Sequence, residues 1–182
     1  MWLYLLAAGW WRVHPEANLL GRAGFVGDEL GSALIGSRLV DDLMRLCFLM
    51  ERQYAPYSKW FGTAFSRLAC APELSPDLWN ALQARTWPAR EAALLAAYEQ
   101  VAALHNALQV TPPVATTVEQ MWDRPFKVLW GDFPGALLAQ IQDPAVLRIA
   151  ETWPAGGVDR LRDLVWRPQT RGLLRGLIDV ID

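Results

Sequence analysis

The stretch that decides the fold is residues 38–60, RLVDDLMRLCFLMERQYAPYSKW. Its first part reads as an apolar helix, because Arg45 is the single polar residue between Leu43 and Met50. A helix that is apolar on nearly every side must be covered by other elements. The stretch therefore predicts a long central helix in an all-α helix bundle. Pro56 ends this helix, and a new one begins near residue 58.

Charged side chains lie along one stripe of the central helix, because steps of three and four residues return to the same face. The stripe consists of Arg38, Asp41, Asp42, Arg45 and Arg52. Its spacing predicts two ion pairs between residues four apart, Arg38–Asp42 and Asp41–Arg45.

The charged stripe has two interpretations. In the first, basic side chains converge on a phosphate or carboxylate, and acidic ones hold them or act as a base. The ligand-binding candidates are then Arg38, Arg45, Arg52, Tyr57 and Lys59, supported by Asp41, Asp42 and Glu51. Residues from Tyr57 to Trp60 follow a proline turn, from which side chains can reach a cleft. In the second interpretation, the arginines and aspartates pair only with each other so that they can be buried.

Other polar residues give weaker signals. Arg124, in the turn Asp123-Arg124-Pro125-Phe126, is a further candidate that either contacts a ligand or clamps helix ends. His105 lies on an apolar helix face and is interpreted as a core histidine. No metal site is predicted, because His14 and His105 are far apart and no Cys or His pair has ligand spacing.

The two cysteines cannot form a disulfide scaffold. Cys47 lies inside the most apolar helix and is interpreted as a small hydrophobic residue, which fits a reducing cytoplasm. Cys70 is expected to be partly exposed, without an activating neighbour. We therefore predict a cytoplasmic protein.

Hydrophobic periodicity and proline signals place the helices. They are expected at residues 2–13, 25–54, 58–70, 75–84, 88–110, 133–141, 144–152 and 158–181. No alternating strand pattern is present, and residues 114–131 are the least regular stretch, so a less regular C-terminal part is expected. Gly27, Gly31 and Gly36 are expected to permit close approach by another helix. The predicted domains are 1–165 and a C-terminal extension helix, 166–182.

Composition restricts the function further. A length of 182 residues suits one domain with a real core. The net charge of −2 gives no footprint for nucleic acid. The apolar start of the chain is shorter than the roughly twenty residues that a membrane span needs, so a packed first helix is predicted. Trp2, Trp10 and Trp11 are expected in a core or an interface, not in a base-stacking platform.

The run from Arg38 to Phe65 resembles a helical domain of unknown function that bacteria carry behind a nucleotidyltransferase-like domain. The resemblance covers about residues 2–165 and is most specific in residues 50–60. Further matching segments are Trp2 to Ala8, Gly27 to Ser32, Ala97 to Glu99 with His105-Asn106, and Asp123 to Phe126. It implies a bundle like the substrate-binding domain of kanamycin nucleotidyltransferase-like enzymes, related to the HEPN group.

The resemblance also implies a function. In such proteins the catalytic acids lie in the preceding domain, and the helical domain completes a nucleotide or acceptor pocket. The glycine-serine motif with paired acidic residues is absent here, so the chain is expected to lack catalysis on its own and to need no cofactor. The alternative is a protein–protein module, in which the apolar first helix docks on a separate nucleotidyltransferase subunit or on a second copy.

Overall fold

Two long antiparallel helices form the centre of the fold. In a computed structural model, which describes residues 1–153 and 156, they are α1 (Trp2–Phe25) and α2 (Glu29–Met50). Asp28 caps α2, because its carboxylate accepts a hydrogen bond from the Gly31 N–H at 2.7 Å. The predicted central helix is therefore confirmed, although it begins and ends a few residues inside the predicted bounds.

Five further helices and one small hairpin surround this pair in the described part of the chain. They are α3 (Ser58–Phe65), α4 (Ala71–Gln83), α5 (Trp87–Ala107), β1 (Val118–Gln120), β2 (Lys127–Leu129), α6 (Phe133–Leu138) and α7 (Pro144–Thr152). Helix α5 packs against α1, α2 and α4, and α6 packs against α1. The all-α prediction is confirmed. The helix predicted at 158–181, and with it the extension 166–182, lies outside the described residues.

Helix α1 continues through Pro15 to Phe25, so the predicted helix end at residues 14–15 is wrong. A proline inside a helix removes one backbone hydrogen bond and costs about 3 kcal/mol. Packing beyond the proline offsets this cost. Leu20 is buried, and Gly24 lies so close to α5 that a Cβ there would stand 2.1 Å from Trp87 Cγ. Tertiary contact therefore sets the length of α1.

Helix α4 begins at Ala71, before its predicted start at Ser75-Pro76. Pro72 already occupies the first turn, where a missing N–H costs nothing. The Ser75 hydroxyl donates to the Ala71 carbonyl at 2.6 Å, inside the helix instead of capping it. Helix α3 ends at Phe65, five residues before its predicted end.

The hairpin was not predicted. Strands β1 and β2 pair antiparallel, with Val118 opposite Leu129 and Gln120 opposite Lys127. Three residues per strand are too few to show an alternating pattern in the sequence. The predicted turn at residues 123–126 does lie between the two strands. Its Phe126 is 3% exposed and covers Gly21 of α1, where a Cβ would stand 2.6 Å from Phe126 Cβ.

The three glycines that were expected to permit close approach by another helix have different roles. Gly36 permits a close approach, as predicted, because a Cβ there would stand 2.6 Å from Arg90 Cδ of α5. Gly27 instead lies in the turn before α2 with φ +86°, a conformation that favours glycine, and no atom lies near its missing side chain. Gly31 faces the capping carboxylate of Asp28, not another helix.

Candidate functional site

Ion pairs across the two central helices use part of the predicted charged stripe. The Arg12 Nε lies 2.9 Å from Asp42 Oδ1, and the Arg38 Nε lies 2.9 Å from Glu16 Oε2. The predicted pairing of Arg38 with Asp42 is therefore wrong. The reason is that α1 extends past Pro15, so its own charged residues, Arg12 and Glu16, lie beside α2 and form ion pairs with it. Glu16 follows Arg12 by four residues, and Arg38 precedes Asp42 by four, as antiparallel helices in register require.

The sequence pattern does not predict the α1 partners, because Glu16 lies between the predicted helices 2–13 and 25–54. The signal that could have found them is the four-residue spacing of Arg12 and Glu16, once the helix is extended through Pro15. Arg90 of α5 was missed as well. It is buried, donates to Ser32 Oγ at 2.9 Å and to the Ala84 carbonyl at 2.8 Å, and lies 3.3 Å from a Glu29 carboxylate oxygen.

Arg45 joins α2 to α3. Its Nε lies 2.8 Å from Asp41 Oδ2, which confirms the second predicted pair. The guanidinium also lies 4.9 Å from the centre of the Phe61 ring, in a cation–π contact. Phe61 is buried against Phe48 of α2, with ring centres 5.3 Å apart. Arg45 thus links α2 to α3 through its contact with Phe61.

Glu51 lies one residue after α2 and holds the start of α4. Its two carboxylate oxygens accept hydrogen bonds from the Ala69 N–H at 2.8 Å and the Cys70 N–H at 2.9 Å. Burial acts to raise the pKa of Glu51, but the bonds from Cys70 and Ala69 outweigh it, and the pKa is lowered. Glu51 therefore caps a neighbouring helix, and these two hydrogen bonds do not involve the basic side chains that it was expected to support.

An aromatic and cationic surface lies at the junction of α2 and α3, in residues 52–60, which we call the junction surface. Its side chains are largely in solvent: Tyr54 is 89% exposed, Tyr57 65% and Trp60 50%. Arg52 and Lys59 are exposed as well. Three of the predicted ligand-binding residues, Arg52, Tyr57 and Lys59, lie in this one turn.

Cation–π contacts fix the two cations of the junction surface. The Arg52 guanidinium lies 4.2 Å from the centre of the Trp2 ring, and the Trp2 Nε1–H donates to the Leu49 carbonyl at 2.7 Å. The Lys59 ammonium lies 5.0 Å from the Trp60 ring centre. Arg52 also has φ +53°, a conformation uncommon for a residue with a side chain. The start of α1 and the end of α2 together hold Arg52.

Arg124 lies apart from the junction surface, in the loop between β1 and β2. Its side chain is 63% exposed and its Nε lies 3.8 Å from an Asp123 carboxylate oxygen that is itself in solvent. Trp122 and Trp130 flank this loop with ring centres 5.7 Å apart, and both are exposed. The structure does not show Arg124 clamping a helix end.

Residues 1–61 match the family model described as a domain of unknown function (DUF4037). The matched segment contains α1, α2 and the start of α3, so it includes both the Arg52–Trp2 and the Arg45–Phe61 contacts. No curated protein and no solved structure matches the chain. The match agrees with the predicted likeness to a helical domain of unknown function.

His105 is a core residue, as predicted. It is fully buried, accepts a hydrogen bond from the Trp10 Nε1–H at Nδ1 (3.2 Å), and has Nε2 3.2 Å from Thr111 Oγ1. Nδ1 as acceptor places the proton on Nε2, which donates to Thr111. Burial lowers the pKa of His105 to about 4, so the ring is neutral at pH 7.

Neither a metal-binding cluster nor a membrane-spanning helix is found among residues 1–153 and 156. No three His, Cys, Asp or Glu side chains there are grouped so that they could hold a metal ion. Within the same residues, no helix combines the length and the apolar character that crossing a bilayer requires.

Glu51→Gln is expected to lower the free energy of unfolding by about 1 kcal/mol at pH 7, because the charge at the start of α4 is lost. The pKa of Glu51 is lower in the folded protein than in the unfolded chain. Its contribution to the free energy of unfolding is therefore fully present above the unfolded-chain pKa of about 4.3, and is lost as the pH falls through the pKa of the folded protein. Urea unfolding at pH 7 and pH 3 should therefore show a difference between the two proteins that is smaller at the lower pH. Glu99→Gln, at an exposed position of α5, is the control. An equal loss at both pH values contradicts the capping role.

Proposed function

We propose that this chain is a helical nucleotide- or substrate-binding accessory domain, which acts with a nucleotidyltransferase-like domain that supplies the catalytic acids. The observation that carries the proposal is the junction surface. Three aromatic rings and two cations are exposed within nine consecutive residues, next to a helix start. The proposal includes a HEPN-like bundle, a bacterial source and a cytoplasmic location.

The junction surface has the chemistry that a nucleotide requires. Exposed rings offer stacking faces to a base, and stacking contributes about 1–3 kcal/mol per base. Arg52 and Lys59 offer charge to a phosphate. The backbone N–H groups of the first turn of α3 point out of the start of this helix, towards the junction surface. No side-chain cap hydrogen bond is made at this helix start. Base and phosphate recognition thus occur side by side in one turn.

Arg45 has a supporting role in this proposal. Its contacts with Asp41 and Phe61 are made within the fold, so we assign it to positioning α3 rather than to direct ligand contact. Arg38 and Asp42 likewise serve the packing of α1 against α2. Arg124 stays a separate candidate, on the hairpin loop.

The alternative function, docking through the first helix, remains a second proposal, and the half-buried side chains of Trp2 and Trp11 are the part of that helix it would use. Trp10 is 0% exposed and Tyr4, Leu6, Ala7 and Ala8 are buried inside the bundle. Exposed apolar side chains near α1 lie at both of its ends: Met1 directly precedes the helix, and Phe25, Val26, Leu30 and Leu34 lie at the α1–α2 turn and in the first turns of α2. Light scattering on the purified chain measures whether it associates with itself.

Calorimetric titration with ATP, inorganic phosphate and an aminoglycoside tests the proposal. We expect ATP to bind more tightly than phosphate, because only ATP offers a base to the rings. Trp60→Ala should weaken ATP binding about tenfold and leave phosphate binding unchanged. The double variant Arg52→Ala/Lys59→Ala should weaken both about tenfold or more.

The matched control is Arg22→Ala/Arg85→Ala, which removes two exposed arginines elsewhere and makes the same change in net charge. It should leave both affinities within twofold of the parent chain. The proposal is wrong if neither ATP nor the aminoglycoside binds, or if the control variant weakens binding as much as the junction variant does.

A further inference from the structure

The two cysteines of the chain lie side by side, although they are far apart in the sequence. Cys47 lies in the last turns of α2, and Cys70 directly precedes α4. Their side chains lie close enough to interact, and both thiols are free. This corrects the prediction that Cys70 is partly exposed, because it is only 8% exposed and packs into the core.

Glu51 gives independent evidence for the proximity of the two cysteines. It follows Cys47 by one turn, and its backbone N–H donates to the Cys47 carbonyl at 2.9 Å. Its carboxylate accepts a hydrogen bond from the Cys70 N–H at 2.9 Å. The end of α2 is therefore tied to the start of α4 beside the two thiols.

The two thiols differ in their access to solvent. Cys47 is 0% exposed, whereas Cys70 is 8% exposed and follows Ala69, which is exposed. The interaction with Cys70 and burial raise the pKa of Cys47, so Cys47 stays a thiol. An oxidant therefore meets Cys70 first, and Cys47 is the thiol placed to react next.

We propose that Cys47 and Cys70 form an intramolecular disulfide when a hydroperoxide oxidises the protein. In the first step, the Cys70 sulfur attacks one peroxide oxygen and the O–O bond breaks. Cys70 becomes a sulfenic acid, and the other oxygen leaves as water or an alcohol with the thiol proton. In the second step, the Cys47 sulfur attacks the Cys70 sulfur. The S–S bond forms, the S–O bond breaks, and water leaves with the Cys47 proton.

The disulfide closes a covalent ring from Cys47 to Cys70. This ring contains the whole of residues 52–60, α3, and the loop to α4. Fixing both ends of this segment reduces the freedom of the unfolded chain and stabilises the oxidised protein. The formation of the bond does not depend on any ligand of the junction surface, so it is tested separately from the proposed function.

The test treats the native full chain with a small excess of hydrogen peroxide and measures the intact mass. We expect the monomer to lose the mass of two hydrogen atoms, and a peptide map to show one linked peptide that contains both cysteines. Reduction with dithiothreitol should restore the mass. The oxidised protein should melt roughly 5–10 °C above the reduced one.

Single-cysteine variants test whether Cys70 is oxidised first and Cys47 reacts second. Cys47→Ser should gain one oxygen atom, which a sulfenic-acid reagent captures at Cys70, and should form no intramolecular link. Cys70→Ser should be nearly inert to peroxide, because Cys47 is buried. Cys47→Ala and Cys70→Ala replace them if a serine variant does not fold. The proposal is overturned if the native chain gains oxygen without losing two hydrogens, if the only links join two chains, or if Cys47 is oxidised in Cys70→Ser as fast as Cys70 is in Cys47→Ser.

Discussion

Asp42→Ala is expected to lower the free energy of unfolding by about 3–5 kcal/mol, because it removes the carboxylate that is paired with the largely buried guanidinium of Arg12. The side chains of Arg12 and Asp42 are 11% and 9% exposed, and their closest atoms lie 2.9 Å apart. The pair lies where α1 and α2 pack together. Urea unfolding followed by tryptophan fluorescence measures the change.

The matched control is Asp41→Ala, one residue earlier on α2. Its ion pair with Arg45 is of similar length, 2.8 Å, but the Asp41 side chain is 41% exposed. Solvent screens such a pair, so we expect a loss of at most about 1 kcal/mol. A double variant, Arg12→Met/Asp42→Leu, removes both charges and should recover much of the lost stability. Equal losses for Asp41→Ala and Asp42→Ala contradict the assignment of Asp42 to the core.

Trp10→Ala is expected to lower the free energy of unfolding by about 4–6 kcal/mol. Trp10 is fully buried, its ring stacks on Phe133 with centres 4.1 Å apart, and its Nε1–H donates to His105. The substitution leaves a cavity between α1 and α6 and takes away the hydrogen bond to a buried ring nitrogen. Trp10→Phe keeps most of the ring and should lose about 1–3 kcal/mol.

The pH dependence of Trp10→Ala gives a second readout. Burial lowers the pKa of His105 to about 4, below the usual value of about 6.5 in an unfolded chain. The unfolded state therefore binds more protons between these values, and the parent chain loses stability as pH falls from about 6.5 towards 4. A cavity that admits water raises the pKa of His105, so this loss should be smaller in Trp10→Ala.

Unfolding of both proteins at pH 7 and pH 4.5 measures the difference. Trp79→Ala, at a position 61% exposed on α4, is the control and should change the free energy of unfolding by less than about 0.5 kcal/mol. An equal pH dependence in Trp10→Ala and the parent chain would contradict the place of His105 in this contact.

Local pattern was sufficient for much of the fold. The apolar run from Leu43 to Met50 predicts the central helix, because periodicity along a helix does not depend on its neighbours. The Asp41–Arg45 pair was predictable for the same reason, since residues four apart on a helix always meet. The candidate residues Arg52, Tyr57 and Lys59 were also found locally, because they follow one another in one short turn.

The tertiary structure decided what the sequence left open. Pro15 reads as a helix end, and only packing beyond it, such as the burial of Leu20 and the contact of Gly24 with Trp87, keeps α1 helical. The same extension gives Arg38 its partner Glu16, which lies on another helix. Partners on different elements depend on the register in which the elements pack, and the spacing of residues within one helix does not contain that register. For this reason the sequence by itself determined α2 and the junction surface, whereas the tertiary structure determined the length of α1, the ion pairs across the helices, and the meeting of Cys47 with Cys70.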